Sequence, residues 1–415
     1  MKVHPIFFCA TLLTCIIGYA NYTPLDTIAK KVVFIIVDGV SADQLKTAHT
    51  PYLDSIGAIG GYSDAYVGGV KGTYSETPTI SAVGYNSLLT GTWANKHNVY
   101  GNGIKGPNYN YPTIFRLFKD HSPKGTIGVF SSWLDNRTKL VGEGLKETEH
   151  LKVDYAFDGL EHDSVNYPHD NKRNFMKLID LNVALHASET ILKKGPDVSW
   201  VYLEFTDDMG HAYGDSPQLS AAITFEDGLV GRIYNAITER QKTYDEDWLL
   251  IVTTDHGRKE NNGKGHGGQS ERERSTWIVT NTKNTNAYFK NNTPAVVDIL
   301  PTMTDFLDME VPVEVKREWD GVSLIRPVDA TDLRVKKEEG NLVLTWKARS
   351  KANGKIFVST GNFFKSGGTD QYELIKSVSL EKEEAIIPIT NIPGGFCKLV
   401  LETPNTMLNT WLPEE

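Results

Sequence analysis

Cysteine is almost missing from this chain, with only Cys9, Cys15 and Cys397 among 415 residues. Two of the three lie in the apolar N-terminal stretch, so a processed chain keeps Cys397 alone and a disulfide framework is excluded. An excess of positive charge is missing too. The 43 Lys and Arg face 52 Asp and Glu, for a formal net charge of −9, which argues against an electrostatic grip on a nucleic-acid duplex. Small phosphorylated substrates stay open, because bound metals can supply local positive charge. Internal repeats and low-complexity tracts are absent, and no apolar run beyond the N-terminus is long enough to suggest a membrane span. What remains is an ordinary globular composition, 40% hydrophobic and 23% charged, with length enough for a large core and a second, smaller unit.

The N-terminus reads as a targeting segment. Met1-Lys-Val-His4 precedes an apolar run from Pro5 to Ala20, and Gly18-Tyr-Ala20 is a small-x-small cleavage site. A signal peptide over residues 1–20, cut before Asn21, is expected, and with it secretion to a bacterial periplasm or cell surface. Lipid anchoring at Cys15 is the alternative, which Thr14 fits poorly.

The informative feature is one pattern written three times. Lys31-Val-Val-Phe-Ile-Ile-Val37 ends on Asp38-Gly39. Val198-Ser-Trp-Val-Tyr-Leu-Glu-Phe205 ends on Thr206-Asp-Asp-Met-Gly-His211. Asp247-Trp-Leu-Leu-Ile-Val-Thr253 runs into Thr254-Asp-His-Gly257, and Gly265-His-Gly-Gly268 follows after a short loop. Apolar runs of this length are buried strands, and the carboxyl ends of parallel strands are where open α/β sheets bind ligands. The donors divide into two sets. Asp207, His211 and His266 form one; Asp38, Asp255 and His256 form the other, with the Ser81 oxygen completing it. Histidine–carboxylate sets suit zinc, and two zinc ions ~3.5–4 Å apart can activate an oxygen nucleophile and stabilise a leaving oxygen.

Around these motifs the expected architecture is α/β: a doubly wound, mostly parallel sheet with helices on both faces, plus a small C-terminal antiparallel β-sandwich. A helix over 82–90 is ended by Gly91 and places Ser81 at its N-terminus, where amides favour an anion. There Ser81 is either a simple N-cap or a nucleophile. Helices are predicted over 111–120, over 171–194 (Phe175, Leu178, Leu181, Ala184 and Leu185 inward), over 218–240 (Ala222, Ile223, Leu229, Val230, Ile233 and Ile237 inward), and over 295–309. Residues 153–170 lack a regular pattern, as a substrate loop would, and together with Ser131–Asp135 are expected to line a leaving-group pocket. Past Ile325-Arg-Pro-Val328 the texture changes to short alternating runs, such as Asn341–Trp346 and Lys355–Val358, separated by turns such as Ala352-Asn-Gly354. This part resembles a fibronectin type III module with Trp346 as its anchor. No ligand-type cluster lies beyond His266, so residues 327–415 read as separable from the chemistry carried by 21–326.

From Lys31 to Ile325 the chain resembles the alkaline phosphatase superfamily, most closely its nucleotide pyrophosphatase/phosphodiesterase branch. The resemblance is carried by Asp38-Gly39, Asp207-x-x-Gly-His211, Asp255-His-Gly257, Gly265-His-Gly267 and Asp320-Gly-Val-Ser-Leu324. It implies a two-zinc hydrolase of phosphoric esters or anhydrides that passes through a covalent phospho-serine. In that branch the nucleophile lies nine residues before a Thr-Gly pair, here Thr90-Gly91, which selects Ser81. The branch asparagine that holds a phosphoryl oxygen corresponds to Asn102. Ser81 departs from the branch in being serine and in being followed by Ala-Val-Gly-Tyr85 where Phe-Pro-Asn-His is usual, which leaves Thr77 and Thr79 as rivals. His266 follows His256 more closely than the branch spacing. The alternatives are an alkaline-phosphatase-like monoesterase, a sulfatase (which would want x-Pro-x-Arg after its nucleophile), a phosphate-transferring mutase of the same superfamily (which would need a large inserted domain after its nucleophile) and a non-catalytic binding protein on the same scaffold.

Overall fold

The computed structural model describes residues 1–2, 28–391 and 395–413. The proposed signal peptide, with Cys9 and Cys15, lies almost wholly outside the described residues. The first half of the chain forms strands β1 (Ala29–Val37), β2 (Gly61–Tyr66), β3 (Ile127–Ser131) and β4 (Tyr155–Phe157). Helices α1 (Ala42–Thr47), α2 (Pro51–Ile59), α3 (Ser81–Thr90), α4 (Ala94–His97) and α5 (Ile114–His121) fall between them. Next come α6 (Asn174–Lys193), β5 (Val198–Leu203), α7 (Phe205–Tyr213), α8 (Pro217–Gln241) and β6 (Glu246–Thr253). Helix α9 (Glu271–Arg274), strand β7 (Ser275–Thr280), α10 (Ala287–Asn291) and α11 (Ile299–Phe306) complete this part.

The seven strands form one sheet in the order β2-β7-β6-β1-β5-β3-β4. Strands β6, β1, β5, β3 and β4 pair in parallel, and β7 and β2 close one edge antiparallel. The central strand β1 is buried on both faces, which is why it reads as an unbroken apolar run. Val32, Phe34 and Ile36 point into one layer with α3, α5 and α11, while Val33, Ile35 and Val37 point into the other with α2, α6 and α8. Each such side chain contributes about 1.5–3 kcal/mol by leaving water. The ends of β1, β5 and β6 therefore lie side by side, fixed by two continuous cores.

The expected inward stripe of α8 is buried throughout. That of α6 is not. Leu178 is 47% exposed and Leu181 and Leu185 are half-buried, while Met176, Ile179, Val183, Ala187 and Ile191 face the core. The helix is apolar over most of its circumference, so periodicity offers two stripes, and packing against α8 selects the one with small and β-branched residues. The predicted helix over 295–309 begins instead as a 3-10 turn, Val296–Asp298, because the Asp298 carboxylate accepts from Ala295 N at 2.7 Å and from Val322 N at 2.7 Å. The stretch 153–170 is mostly irregular, yet Tyr155–Phe157 pairs with β3 as an edge strand.

The C-terminal part holds β8 (Ala330–Glu338), β9 (Asn341–Ala348), β10 (Asn353–Ser359), β11 (Glu373–Ser379), β12 (Glu384–Pro388), β13 (Cys397–Glu402) and β14 (Met407–Leu412). They make two antiparallel sheets, β11-β10-β13-β14 and β12-β9-β8, around a separate core. The sequence Asn353-Gly354, read as a turn, opens strand β10: Gly354 pairs with Val378. Trp346 is buried in this core, and its Nε1 donates to Leu380 O at 2.9 Å. Cys397 is buried as well, and burial pushes its thiol up to about 11.

A buried ionic network ties this unit to the sheet. Lys398 Nζ donates to Glu318 Oε1 and Asp370 Oδ2, both at 2.6 Å. Lys96 Nζ donates to Asp320 Oδ1 at 2.6 Å and to Asn409 Oδ1 at 2.8 Å. Replacing Lys398 with Met leaves two carboxylates buried without their cation. A loss of about 3–5 kcal/mol is expected, read as a shift of the urea midpoint; an unchanged midpoint would mean that the network does not hold the two units together.

Candidate active site

Asp38 follows the last residue of β1, and its amide donates to Leu203 O at 3.0 Å, carrying the ladder one residue beyond the strand. Gly39 then turns away with φ +66°, and its amide donates to Asp255 Oδ1 at 3.1 Å. A Cβ at Gly39 would stand 2.5 Å from Arg258 Nη2 and 2.6 Å from Asp207 Oδ1, so glycine is required for closeness as well as for φ. Asp207 is not at a strand end as the sequence suggests. Strand β5 stops at Leu203, and Asp207 occupies the first turn of α7 with His211 one turn later on the same face. His211 Nε2 lies 3.2 Å from Asp207 Oδ2. His266 comes from the short loop after β6, where Lys259 N donates to Gly265 O at 3.0 Å and folds the chain back.

The structure gathers the six expected carboxylate and imidazole donors into the two expected groups. Asp207, His211 and His266 each offer a ligand atom within 4.8 Å of the others, and so do Asp38, Asp255 and His256. The groups touch: the His256 and His266 rings stack with centroids 3.7 Å apart. His256 Nδ1 lies 3.0 Å from Gly257 O and His266 Nδ1 2.8 Å from Thr79 O. A carbonyl only accepts, so each Nδ1 carries the proton and each Nε2 presents a lone pair. Burial lowers the pKa of both rings, which favours the neutral form that ligates.

The carboxylates test whether cations fit. Asp38 Oδ1 and Asp255 Oδ2 are buried and find no hydrogen-bond donor among the described residues. Burial, followed by the charge of Asp207, raises Asp38 to about 7. Burial and the charge of Asp38 raise Asp255 in the same direction. Unpartnered buried carboxylate oxygens facing neutral imidazoles are what a divalent cation satisfies. The Asp38, Asp255 and His256 group therefore fits such an ion, and the Asp207, His211 and His266 group offers the same kinds of donor.

Ser81 is the first residue of α3, and the cap position before it is Ile80, so the simple N-cap reading fails. Its Oγ lies 3.3 Å from His256 Nε2. The rival hydroxyls are engaged elsewhere. Thr77 Oγ1 donates to Ser75 O at 2.9 Å, and Thr79 Oγ1 donates to Gly268 O at 2.9 Å while accepting from Gly267 N at 3.0 Å. Asn102 Oδ1 accepts from Ala82 N at 3.0 Å, which leaves its NH2 as the end available to donate.

Three contributors escape a sequence reading. Tyr85 and Tyr202 both donate to Asp38 Oδ2, Tyr202 at 2.7 Å, and so direct Oδ1 toward His256. Tyr85 is one helical turn after Ser81 and takes the place of the branch histidine. Gly84 beside it lets α3 lie against the segment that follows β6, since a Cβ there would be 2.6 Å from Asp255 O. Arg258 is fully buried, with Nη2 2.7 Å from Asp207 Oδ1 and Nε donating to Gly39 O at 2.7 Å. Burial alone would raise Asp207, but Arg258 and the hydrogen bond with His211 hold it well below the usual carboxylate range. The available signal was position: Arg258 directly follows Asp255-His-Gly257.

Paired histidine–carboxylate groups thus stand at the carboxyl edge of a mostly parallel α/β sheet. The family model for type I phosphodiesterase / nucleotide pyrophosphatase matches residues 32–358, and the chain belongs to that family. Among solved structures, human ectonucleotide pyrophosphatase/phosphodiesterase 5 aligns at 14% identity with a TM-score of 0.48, covering 68% of this chain and 96% of that one. A putative sulfatase from Bacteroides thetaiotaomicron aligns at 12% identity and TM-score 0.51, covering 88% and 86%. A 2-O glycosaminoglycan sulfatase aligns at 12% identity and TM-score 0.52 with the same coverages. At these identities the likeness is one of fold.

If the orphaned oxygens are cation ligands, chelator-treated protein should melt earlier than protein given a divalent cation. Saturation at ~1,000 times Kd corresponds to about 4 kcal/mol. Asp255→Asn is expected to lose most of that gain. Equal melting temperatures for chelated and cation-supplied wild type would show that these oxygens do not bind cations.

Proposed function

We propose that this protein is an exported two-zinc phosphodiesterase that cleaves small phosphoric esters or anhydrides of the nucleotide type through Ser81. The observation that carries the reading is the Ser81 hydroxyl, held 3.3 Å from His256 Nε2 where the two donor groups meet. Zinc is preferred because each donor set mixes imidazole with carboxylate, a combination suited to a borderline-soft ion. Asp207, His211 and His266 would hold one ion, and Asp38, Asp255, His256 and the Ser81 oxygen the other. Bound there, the ions supply positive charge that favours the serine alkoxide and offsets the charge of the phosphoryl group.

The chain's own groups supply the rest. Ser81 Oγ attacks phosphorus in line with the departing oxygen, forming a Ser81–O–P bond as the ester or anhydride bond breaks. Water then attacks the same phosphorus, and Ser81 leaves as the free hydroxyl. The Asn102 NH2 and the Ser81 amide at the α3 N-terminus donate to the non-bridging oxygens, where charge builds in the transition state. Tyr85 and Tyr202 keep Asp38 turned toward the site. Residues 21–326 constitute the metallohydrolase domain in this reading, and 327–415 a fibronectin type III-like sandwich.

Ser81→Ala is expected to keep the fold and its zinc, because Ile80 and not Ser81 occupies the cap, so stability should change by less than about 0.5 kcal/mol. Turnover of an aryl phosphodiester should fall by about 10³-fold or more, since only direct attack by water remains. Assaying matched aryl phosphate mono- and diesters and an aryl sulfate on one preparation separates this reading from the monoesterase and sulfatase readings. An alanine variant with normal turnover would remove Ser81 as nucleophile. Elemental analysis should find two zinc ions per chain, and a value below one would count against the metal assignment.

A further inference from the structure

The C-terminal sandwich reaches the catalytic unit at Lys365. This residue sits in the 3-10 turn Phe364–Ser366 between β10 and β11. Its Nζ donates to Asn95 O at 2.8 Å. Its own carbonyl accepts from Asn108 Nδ2 at 2.9 Å and from Asn110 Nδ2 at 3.1 Å. Asn95 lies in α4, on the outgoing stem of a loop, and Asn108 and Asn110 lie on its returning stem. The stems are joined to each other at the base, where Asn108 N donates to His97 O at 2.9 Å and Asn98 Nδ2 donates to Gly106 O at 2.7 Å. One residue of the sandwich therefore grips both stems, and Phe364 next to it packs on Tyr111 with ring centroids 5.2 Å apart.

The tip of this loop carries Asn102. Asn102 and Gly103 are exposed, while Val99 and Ile104 on either side of them are buried in the main core. The tip is tied at its far end by the bond from Ala82 N to Asn102 Oδ1. The base sets the direction in which the loop leaves α4, and so contributes to where Asn102 stands.

We propose that Lys365 is a positioning residue of the hydrolase: through it the sandwich sets the base of the Asn102 loop and so aims the Asn102 carboxamide at the first turn of α3. The inference rests on the reading of Asn102 as a donor to phosphoryl oxygens. It makes the sandwich part of the catalytic apparatus, against the sequence reading of 327–415 as separable from the chemistry. A misplacement of ~1 Å in such a donor can cost up to ~10²-fold in rate.

The test uses full-length, metal-loaded protein with bis(4-nitrophenyl) phosphate as probe. Lys365→Met keeps the aliphatic stem and removes the Nζ donor. It should lower kcat by about tenfold or more while KM, metal content and Tm stay near wild type. Lys365→Arg, which keeps a donor of similar reach, should retain most of the rate. Asn110→Ala loosens the other stem and should act in the same direction. The deciding measurement is a double-mutant cycle: once Asn102→Ala has removed the carboxamide, Lys365→Met should cost nothing further. If the two losses add in full, Lys365 does not act through Asn102 and the inference falls, while the reading of Asn102 stands. If Asn102→Ala alone turns over at the wild-type rate, the reading of Asn102 falls and takes the inference with it. A lost metal or a Tm drop of more than ~5 °C in Lys365→Met would assign its effect to folding and overturn the proposal.

Discussion

Three carboxylates of one sign meet at the carboxyl edge of the sheet, and much of the surrounding structure works to keep them there. Two like charges ~4 Å apart repel by about 4 kcal/mol at an effective dielectric of 20, and burial adds a desolvation penalty to each. Asp38 and Asp255 respond with raised pKa values, whereas Asp207 stays ionised beside Arg258. Arg258 also donates to the carbonyls of Gly39 and Asp207, so one guanidinium joins the exit of β1 to the first turn of α7. Its backbone continues from β6. The cation is thus built into the junction of all three ligand-bearing segments, and of the three carboxylates it pairs with Asp207. The remaining two carboxylates keep an oxygen without a partner, which is the chemical basis for expecting cations beside them.

Orientation is handled by different groups from charge. Two tyrosine hydroxyls occupy Asp38 Oδ2, the Gly39 amide occupies Asp255 Oδ1, and backbone carbonyls hold the Nδ1 atoms of His256 and His266. Each of these contacts leaves the opposite atom of the ligand facing the shared space. The segment after Ser81, which departs from the branch pattern, contributes to this arrangement. Gly84 brings α3 onto the Asp255 segment, and Tyr85 then reaches Asp38 from the same helix face as Ser81.

The sandwich meets the catalytic unit through contacts that need both partners. Buried Lys398 pairs with Glu318 across the junction and with Asp370 on its own side, and buried Lys96, paired with Asp320 in its own unit, donates to Asn409 across it. Breaking the contact between Lys398 and Glu318 would leave the buried Glu318 carboxylate without its cation, a large cost in a low-dielectric interior. The two units thus behave as one body around the segment from Asn95 to Tyr111, the segment that also carries Asn102.

The sequence by itself determined the elements with strong local signatures. Buried parallel strands announce themselves as apolar runs, and an acidic or imidazole residue at the end of such a run has few structural explanations. That is why Asp38, Asp255 and His256 were legible, and why the α8 stripe was. Two choices were left to tertiary structure because local pattern is degenerate there: which stripe of α6 faces inward, and where the 295–309 segment begins its α-helix. The roles of Tyr85, Tyr202 and Arg258 belong to it as well. A tyrosine inside a strand or helix reads as core, and an arginine after a glycine reads as surface, until another chain segment is laid against it. The same holds for Lys365, whose partners lie some 260 residues away and exist only once the sandwich has docked. Local periodicity carries information over a few turns or strands; electrostatic and hydrogen-bond partnerships across the fold are decided by packing alone.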